Sequence, residues 1–109
     1  MSYGTWISAV VFAAALAVTG TAQADAKAGR DKSRTCAACH GSMGLSTLPN
    51  APNLAGQPEI YLVEQLKAYR SGKRSNEIMT VIAKPLSDDD VADLAAWYAS
   101  LVIEVKEKP

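Results

Sequence analysis

Histidine occurs once in the 109 residues, cysteine twice and phenylalanine once. Three Cys and His side chains are too few for a structural zinc site, which takes four ligands. No stretch alternates apolar and polar residues as a half-buried strand does. Without strands, the βαβ setting that a thioredoxin-like C-x-x-C pair requires is also missing. Neither sign of charge is in excess, since 11 Lys and Arg balance 11 Asp and Glu. A chain with no basic surplus is not expected to bind nucleic acid. There is no internal repeat and no low-complexity tract. No apolar run reaches the roughly 20 residues needed to span a bilayer.

The longest apolar run, Ile7 to Val18, is interrupted only by Ser8. It precedes Ala22-Gln23-Ala24, a small-x-small cleavage signal. No Lys or Arg stands ahead of it. The reading is a signal peptide over residues 1–24 and one mature domain over 25–109. An uncleaved leader acting as an anchor is the alternative. Every charged residue lies beyond position 24. An exported domain meets an oxidising compartment, where two free thiols pair as a disulfide unless something else claims them.

Residues 25–35 read as a short helix, weakened at Gly29 by about 1 kcal/mol relative to alanine. Gly41 to Gly56, with Gly44, Pro49, Asn50 and Pro52, is loop chemistry. A second helix is expected from about Pro58 to Ser71, with Pro58 suited to its first turn and Gly72 just past its end. Ile60, Val63, Leu66 and Tyr69 recur at spacing three with Leu62 beside them, as one apolar stripe. Asn76 to Ala83 is a short segment carrying Ile78, Met79, Val81 and Ile82, stopped by Pro85. The last helix has Ser87 as N-cap and Asp88, Asp89 and Asp90 in its positive first turn. Val91, Leu94, Ala95, Tyr98, Leu101 and Val102 form its apolar face. Lys106 and Lys108 come at or just beyond its end. The fold class is therefore all-α, with three or four short helices joined by loops.

Cys36-Ala37-Ala38-Cys39-His40 is C-x-x-C-H, the pattern of covalent haem attachment. Each sulfur adds to one porphyrin vinyl group, and two intervening residues present both sulfurs to one macrocycle edge. The expected cofactor is one haem c, bound by thioethers at Cys36 and Cys39, with His40 as proximal iron ligand. A surface histidine beside a structural disulfide is the duller alternative. The sixth ligand must come from the other face, and methionine thioether is the standard choice without a second histidine. Met1 leaves with the leader, and Met43 is held close to His40 by the attachment loop. Met79 remains, far enough along the chain to cross to the distal face; its alternative role is core filler. A His/Met pair stabilises ferrous iron and leaves no open site for substrate, which favours electron transfer over catalysis.

Around this centre several roles stay open. The Pro52 carbonyl can accept from His40 Nδ1–H, or Pro52 is a plain turn residue. Arg70, Lys73 and Arg74 either pair with propionates or are solvated. Tyr61, Tyr69 and Asn76 can hydrogen-bond near Met79 or the haem edge. Trp97 and Tyr98 read as packing residues rather than electron relays. A domain this small needs a staple, so the apoprotein is expected to be poorly folded.

With these residues in place the chain resembles class I c-type cytochromes, in the bacterial cytochrome c4 / c553-like branch. The likeness runs through Cys36-Ala37-Ala38-Cys39-His40-Gly41 and Pro52-Asn53-Leu54-Ala55-Gly56-Gln57. It continues in Tyr61-Leu62, Gln65-Leu66, Tyr69-Arg70, Gly72-Lys73-Arg74, Asn76, Met79 and Leu86-Ser87-Asp88, and closes with Leu94-Ala95-Ala96-Trp97-Tyr98-Ala99. The resemblance implies a cytochrome c fold around one haem, with His40 and Met79 as axial ligands and the Pro52 carbonyl against the proximal histidine. It also implies that the first and last helices cross, which gives Gly29 and Trp97 a packing role. The implied function is a periplasmic electron carrier of a Gram-negative bacterium, working between a quinol-oxidising complex and a terminal oxidase or reductase. Membrane contact would come only through such complexes or an uncleaved leader. Cytochromes c4 proper carry two such domains, whereas this chain has one motif. Ile78-Met79-Thr80-Val81-Ile82-Ala83-Lys84 also resembles the haem subunits of sulfide-oxidising flavocytochromes c. That implies a second possibility, a haem subunit draining electrons from a flavoprotein partner. A haem sensor or peroxidase would require a labile Met79.

Overall fold

The computed structural model describes residues 1–4, 6–7, 9–17 and 23–109. Ser8, Val18 and Ala22, which belong to the expected leader and its cleavage signal, lie outside the described residues. No helix among the described residues is long and apolar enough to cross a membrane. Their regular structure is all helical: α1 (Ala26–Lys32), α2 (Arg34–His40), α3 (Glu59–Ser71), α4 (Met79–Ala83) and α5 (Asp88–Ser100).

Asp25 starts α1 by accepting from the amides of Lys27 and Ala28 at 2.9 and 3.2 Å. The helix ends at Ser33, whose hydroxyl donates to the Arg30 carbonyl at 2.7 Å. The Ser33 carbonyl then accepts from Cys36 and Ala37, so α2 begins at once. The C-x-x-C-H motif is thus itself helical. This is why five helices stand where three or four were expected.

In α3, Leu62 is buried, but Ile60 is 75% exposed and leaves the expected stripe. Two positions apart on a helix, the two side chains point to different faces. In α5 the expected cap is present in reciprocal form: Asp90 N–H donates to Ser87 Oγ at 3.1 Å, and Ser87 N–H to Asp90 Oδ2 at 3.0 Å. Val91, Leu94, Ala95 and Tyr98 are all buried. The helix stops earlier than its apolar pattern. The Tyr98 carbonyl, whose helical partner would be the Val102 amide, accepts instead from Gly56 N–H at 2.9 Å and from Leu101 N–H at 3.3 Å. Leu101 turns extended, and Val102, expected on the apolar face, is 93% exposed.

The largest helix contact is α1 against α5, as the resemblance implied. Gly29 makes it possible: a Cβ there would lie 1.9 Å from the Asp93 carbonyl oxygen and 2.9 Å from Trp97 Cβ. Charges fasten the same crossing. Lys32 Nζ lies 2.9 Å from Asp90 Oδ1 and 2.7 Å from Asp93 Oδ2, and Asp25 N–H donates to Asp93 Oδ1 at 2.8 Å. The Arg30 guanidinium sits over the Trp97 ring, 5.4 Å from its centre. α3 packs on α5, and α4 packs on α3.

Candidate haem-binding site

Cys36 and Cys39 lie three residues apart on α2, so their side chains are neighbours on one helix face. Both are free thiols and half-buried. The helical turn therefore offers two sulfurs side by side, not a disulfide. Burial is the main cause that pushes the Cys36 thiol up, and the Tyr98 hydroxyl acts in the opposite direction.

His40 ends α2 and is buried at 7% exposure. The chain turns at Gly41, in the left-handed region at φ 84°, where a Cβ would meet the Leu45 carbonyl oxygen at 2.1 Å. The loop that follows is tied down by its own bonds. Leu54 and Ala55 amides donate to the Gly44 carbonyl at 2.8 and 3.0 Å. Ser46 Oγ donates to the Cys39 carbonyl at 2.9 Å, and Ser46 N–H to Asn53 Oδ1 at 2.7 Å. These bonds bring the Pro52 carbonyl oxygen to 2.8 Å from His40 Nδ1. A carbonyl can only accept, so Nδ1 carries the proton and donates. Nε2 is then the nitrogen with a free lone pair, which is the state a metal-ligating imidazole needs.

Met79 opens α4 and is partly buried. Arg70 on α3 reaches past this segment, donating from Nη1 to the Leu86 carbonyl at 3.0 Å and from Nη2 to Asp88 Oδ1 at 2.6 Å. α2 is joined to α1, while α4 is joined to α3. No Cα of α2 comes within 8 Å of a Cα of α4. His40 and Met79 are thus carried by separate elements, as ligation from two opposite faces requires. Met43, the other methionine weighed for this role, follows His40 by three residues and is 48% exposed.

The distribution of apolar groups fits a large flat prosthetic group. Among the described residues seven hydrophobic side chains are buried, and three of them are alanines, so side chains alone make a thin core. Meanwhile Met43, Leu45 and Leu48 in the attachment loop, Ile60 and Tyr61 at the start of α3, and Ile78 and Val81 beside Met79 are exposed. Two thiols, an imidazole and a thioether are the donors a c-type haem takes. Among the described residues no group of three or more His, Cys, Asp and Glu side chains is placed to hold a metal ion.

Other expected participants are placed differently. Arg70 is bound to Leu86 and Asp88, and Arg74 lies over the Tyr69 ring at 4.7 Å while donating to Gln65 Oε1 at 2.7 Å. Both guanidinium groups are engaged by the protein itself rather than simply solvated. Trp97 and Tyr98 are packing residues, and Tyr98 belongs to the buried cluster with Leu62 and Ala95. Sequence reasoning named Asn76 only loosely. Its side chain accepts from the Met79 amide at 3.0 Å. The signal available was its spacing, three residues before the methionine, the reach of a capping side chain.

A Cytochrome c family model matches residues 22–101. Cytochrome c-554(548) of Halomonas halodenitrificans is 51% identical over 79 residues, covering 70% of this chain and 95% of that protein. A thiosulfate dehydrogenase electron acceptor of Thiomonas intermedia is 44% identical over 77 residues, covering 69% of this chain and 35% of its own length. Among solved structures, reduced recombinant cytochrome c4 from Pseudomonas stutzeri superposes with a TM-score of 0.69 at 42% identity. That match covers 72% of this chain and 46% of the c4 chain, so this chain spans about half of that relative's length.

Proposed function

This chain belongs to the cytochrome c family, and from that membership we propose that it carries single electrons between redox proteins on one His/Met-ligated haem c. The haem supplies reversible one-electron chemistry at iron. The chain's residues do the rest. Cys36 and Cys39 hold the macrocycle by two thioethers. His40 is the proximal ligand, and its Nδ1–H bond to the Pro52 carbonyl keeps the proton off Nε2, fixes the ring plane and raises ligand basicity. That bond is the observation that carries the reading. Met79 is the distal ligand, its soft sulfur favouring ferrous iron. With both axial positions taken by protein, the role is electron transfer rather than catalysis, in keeping with the c4 and c-554 relatives.

Residues 1–24 act as an export signal and 25–109 as the haem domain in the periplasm. The partners are redox proteins. The relative named a thiosulfate dehydrogenase electron acceptor supports a more specific reading, in which this chain accepts electrons from an enzyme that oxidises a sulfur compound.

The test is to mature the protein in a bacterium that attaches haem. Intact mass must rise by one haem. The ferric form must show the weak long-wavelength charge-transfer band of a thioether–iron bond, and Met79→Ala must abolish it and lower the potential. A colourless product, or a band that survives Met79→Ala, overturns the assignment.

A further inference from the structure

Met79 is the fourth residue of a helical turn that starts at Asn76. The Asn76 carbonyl accepts from Thr80 N–H at 3.0 Å, so one helical turn begins just ahead of α4. Its side-chain Oδ1 accepts twice, from the amides of Ile78 and Met79, each at 3.0 Å. The Thr80 hydroxyl closes the turn by accepting from Asn76 N–H at 3.0 Å. Side-chain bonds therefore run both ways across the five residues from Asn76 to Thr80, and one ends on the Met79 backbone nitrogen.

The five residues of α4 would not hold a turn by themselves, because helix nucleation is unfavourable. The far end of the segment is fastened separately, by fully buried Ala83 and by the Arg70 bond to Leu86. What remains to be set at the near end is the direction in which Met79 leaves the backbone. We infer that Asn76 is the positioning residue for the axial thioether: its Oδ1 holds the Met79 peptide in one orientation, so the sulfur is presented before the iron engages it. The inference rests on the reading of Met79 as distal ligand.

A preset ligand resists displacement, which gives a measurement on the ferric holoprotein. Imidazole competes with the thioether, and its apparent Kd is read from loss of the thioether–iron band. Asn76→Ala removes the acceptor and should tighten imidazole binding about fivefold. Asn76→Asp keeps the acceptor and should return the wild-type value. If Asn76→Ala does not mature, Asn76→Ser, with a shorter acceptor, should fall between the two. Unchanged imidazole affinity in Asn76→Ala or Asn76→Ser, even alongside a lower denaturation midpoint, reduces Asn76 to a stabilising cap and overturns the inference. So does failure of Asn76→Asp to rescue. Survival of the band in Met79→Ala refutes the ligand assignment instead, which separates the two failures.

Discussion

Substitution of Gly29 by alanine sets two effects of opposite sign against each other. On an exposed helix, alanine in place of glycine is worth about 1 kcal/mol of added stability. At this crossing the new Cβ would sit 1.9 Å from the Asp93 carbonyl oxygen and 2.5 Å from its carbon. Ordinary van der Waals contact begins near 3.4 Å, so α1 must withdraw by about 1.5 Å. The obstruction is backbone of α5 and cannot rotate away. Withdrawal on that scale opens the α1/α5 seam, where a gap of 0.5–1 Å already forfeits roughly a quarter to a half of each dispersion contact. It also stretches the 2.8 Å bond from Asp25 N–H to Asp93 and the Lys32 pairs. Overpacking alone costs about 1–3 kcal/mol, and the lost seam adds to it. Steric cost therefore wins, with a net loss of about 2 kcal/mol or more. For a domain of this size that is a fall in Tm of roughly 10 °C. Thermal and guanidinium unfolding of the ferric holoprotein, followed by far-UV circular dichroism, read it directly. A Tm that stays level or rises would falsify the close crossing.

Two further outcomes follow from the same structure. Asp93, Asp90 and Asp88 are held below the ordinary carboxylate range, Asp93 chiefly by Lys32, Asp90 by the Ser87 amide and Asp88 by Arg70. A folded pKa below the unfolded one means the stabilisation is complete above about pH 4 and drains away as pH falls through the folded values. Acid unfolding of Asp93→Asn should accordingly begin from a lower plateau and lose less on acidification; an acid profile parallel to wild type counts against the Lys32 cluster. Leu94 is 2% exposed on the buried face of α5. Its change to alanine should cost about 2–5 kcal/mol in denaturant titration, and a loss below 1 kcal/mol would show that α5 does not close the core as described.

The Met79 segment shows how few residues are needed to fix a short helical turn in place. α4 has five residues, yet Asn76 and Thr80 fix its start and Arg70 fixes its exit. A guanidinium is suited to the exit because its fork bonds the Leu86 carbonyl and the Asp88 carboxylate together. Lysine, a point donor on a flexible stem, would hold one of them.

The sequence by itself determined what is encoded within a few residues. Two sulfurs and an imidazole at C-x-x-C-H, the Ser87 cap of α5 and the stripe Val91, Leu94, Ala95 and Tyr98 follow from covalent spacing and the helical repeat. Those rules act before any long-range contact forms. Tertiary structure decided between partners that were chemically equivalent. For Arg70 the sequence left propionate pairing and solvation open, and the position of α3 brings its guanidinium to the Leu86 carbonyl and Asp88. The Pro52 carbonyl faces His40 because the loop closes on Gly44 and Asn53. Val102 lies outside the core where the Tyr98 carbonyl accepts from the Gly56 and Leu101 amides instead of continuing the helix. A hydrogen bond goes to whichever partner the helix crossings bring within about 3 Å, and the sequence pattern does not contain those crossings.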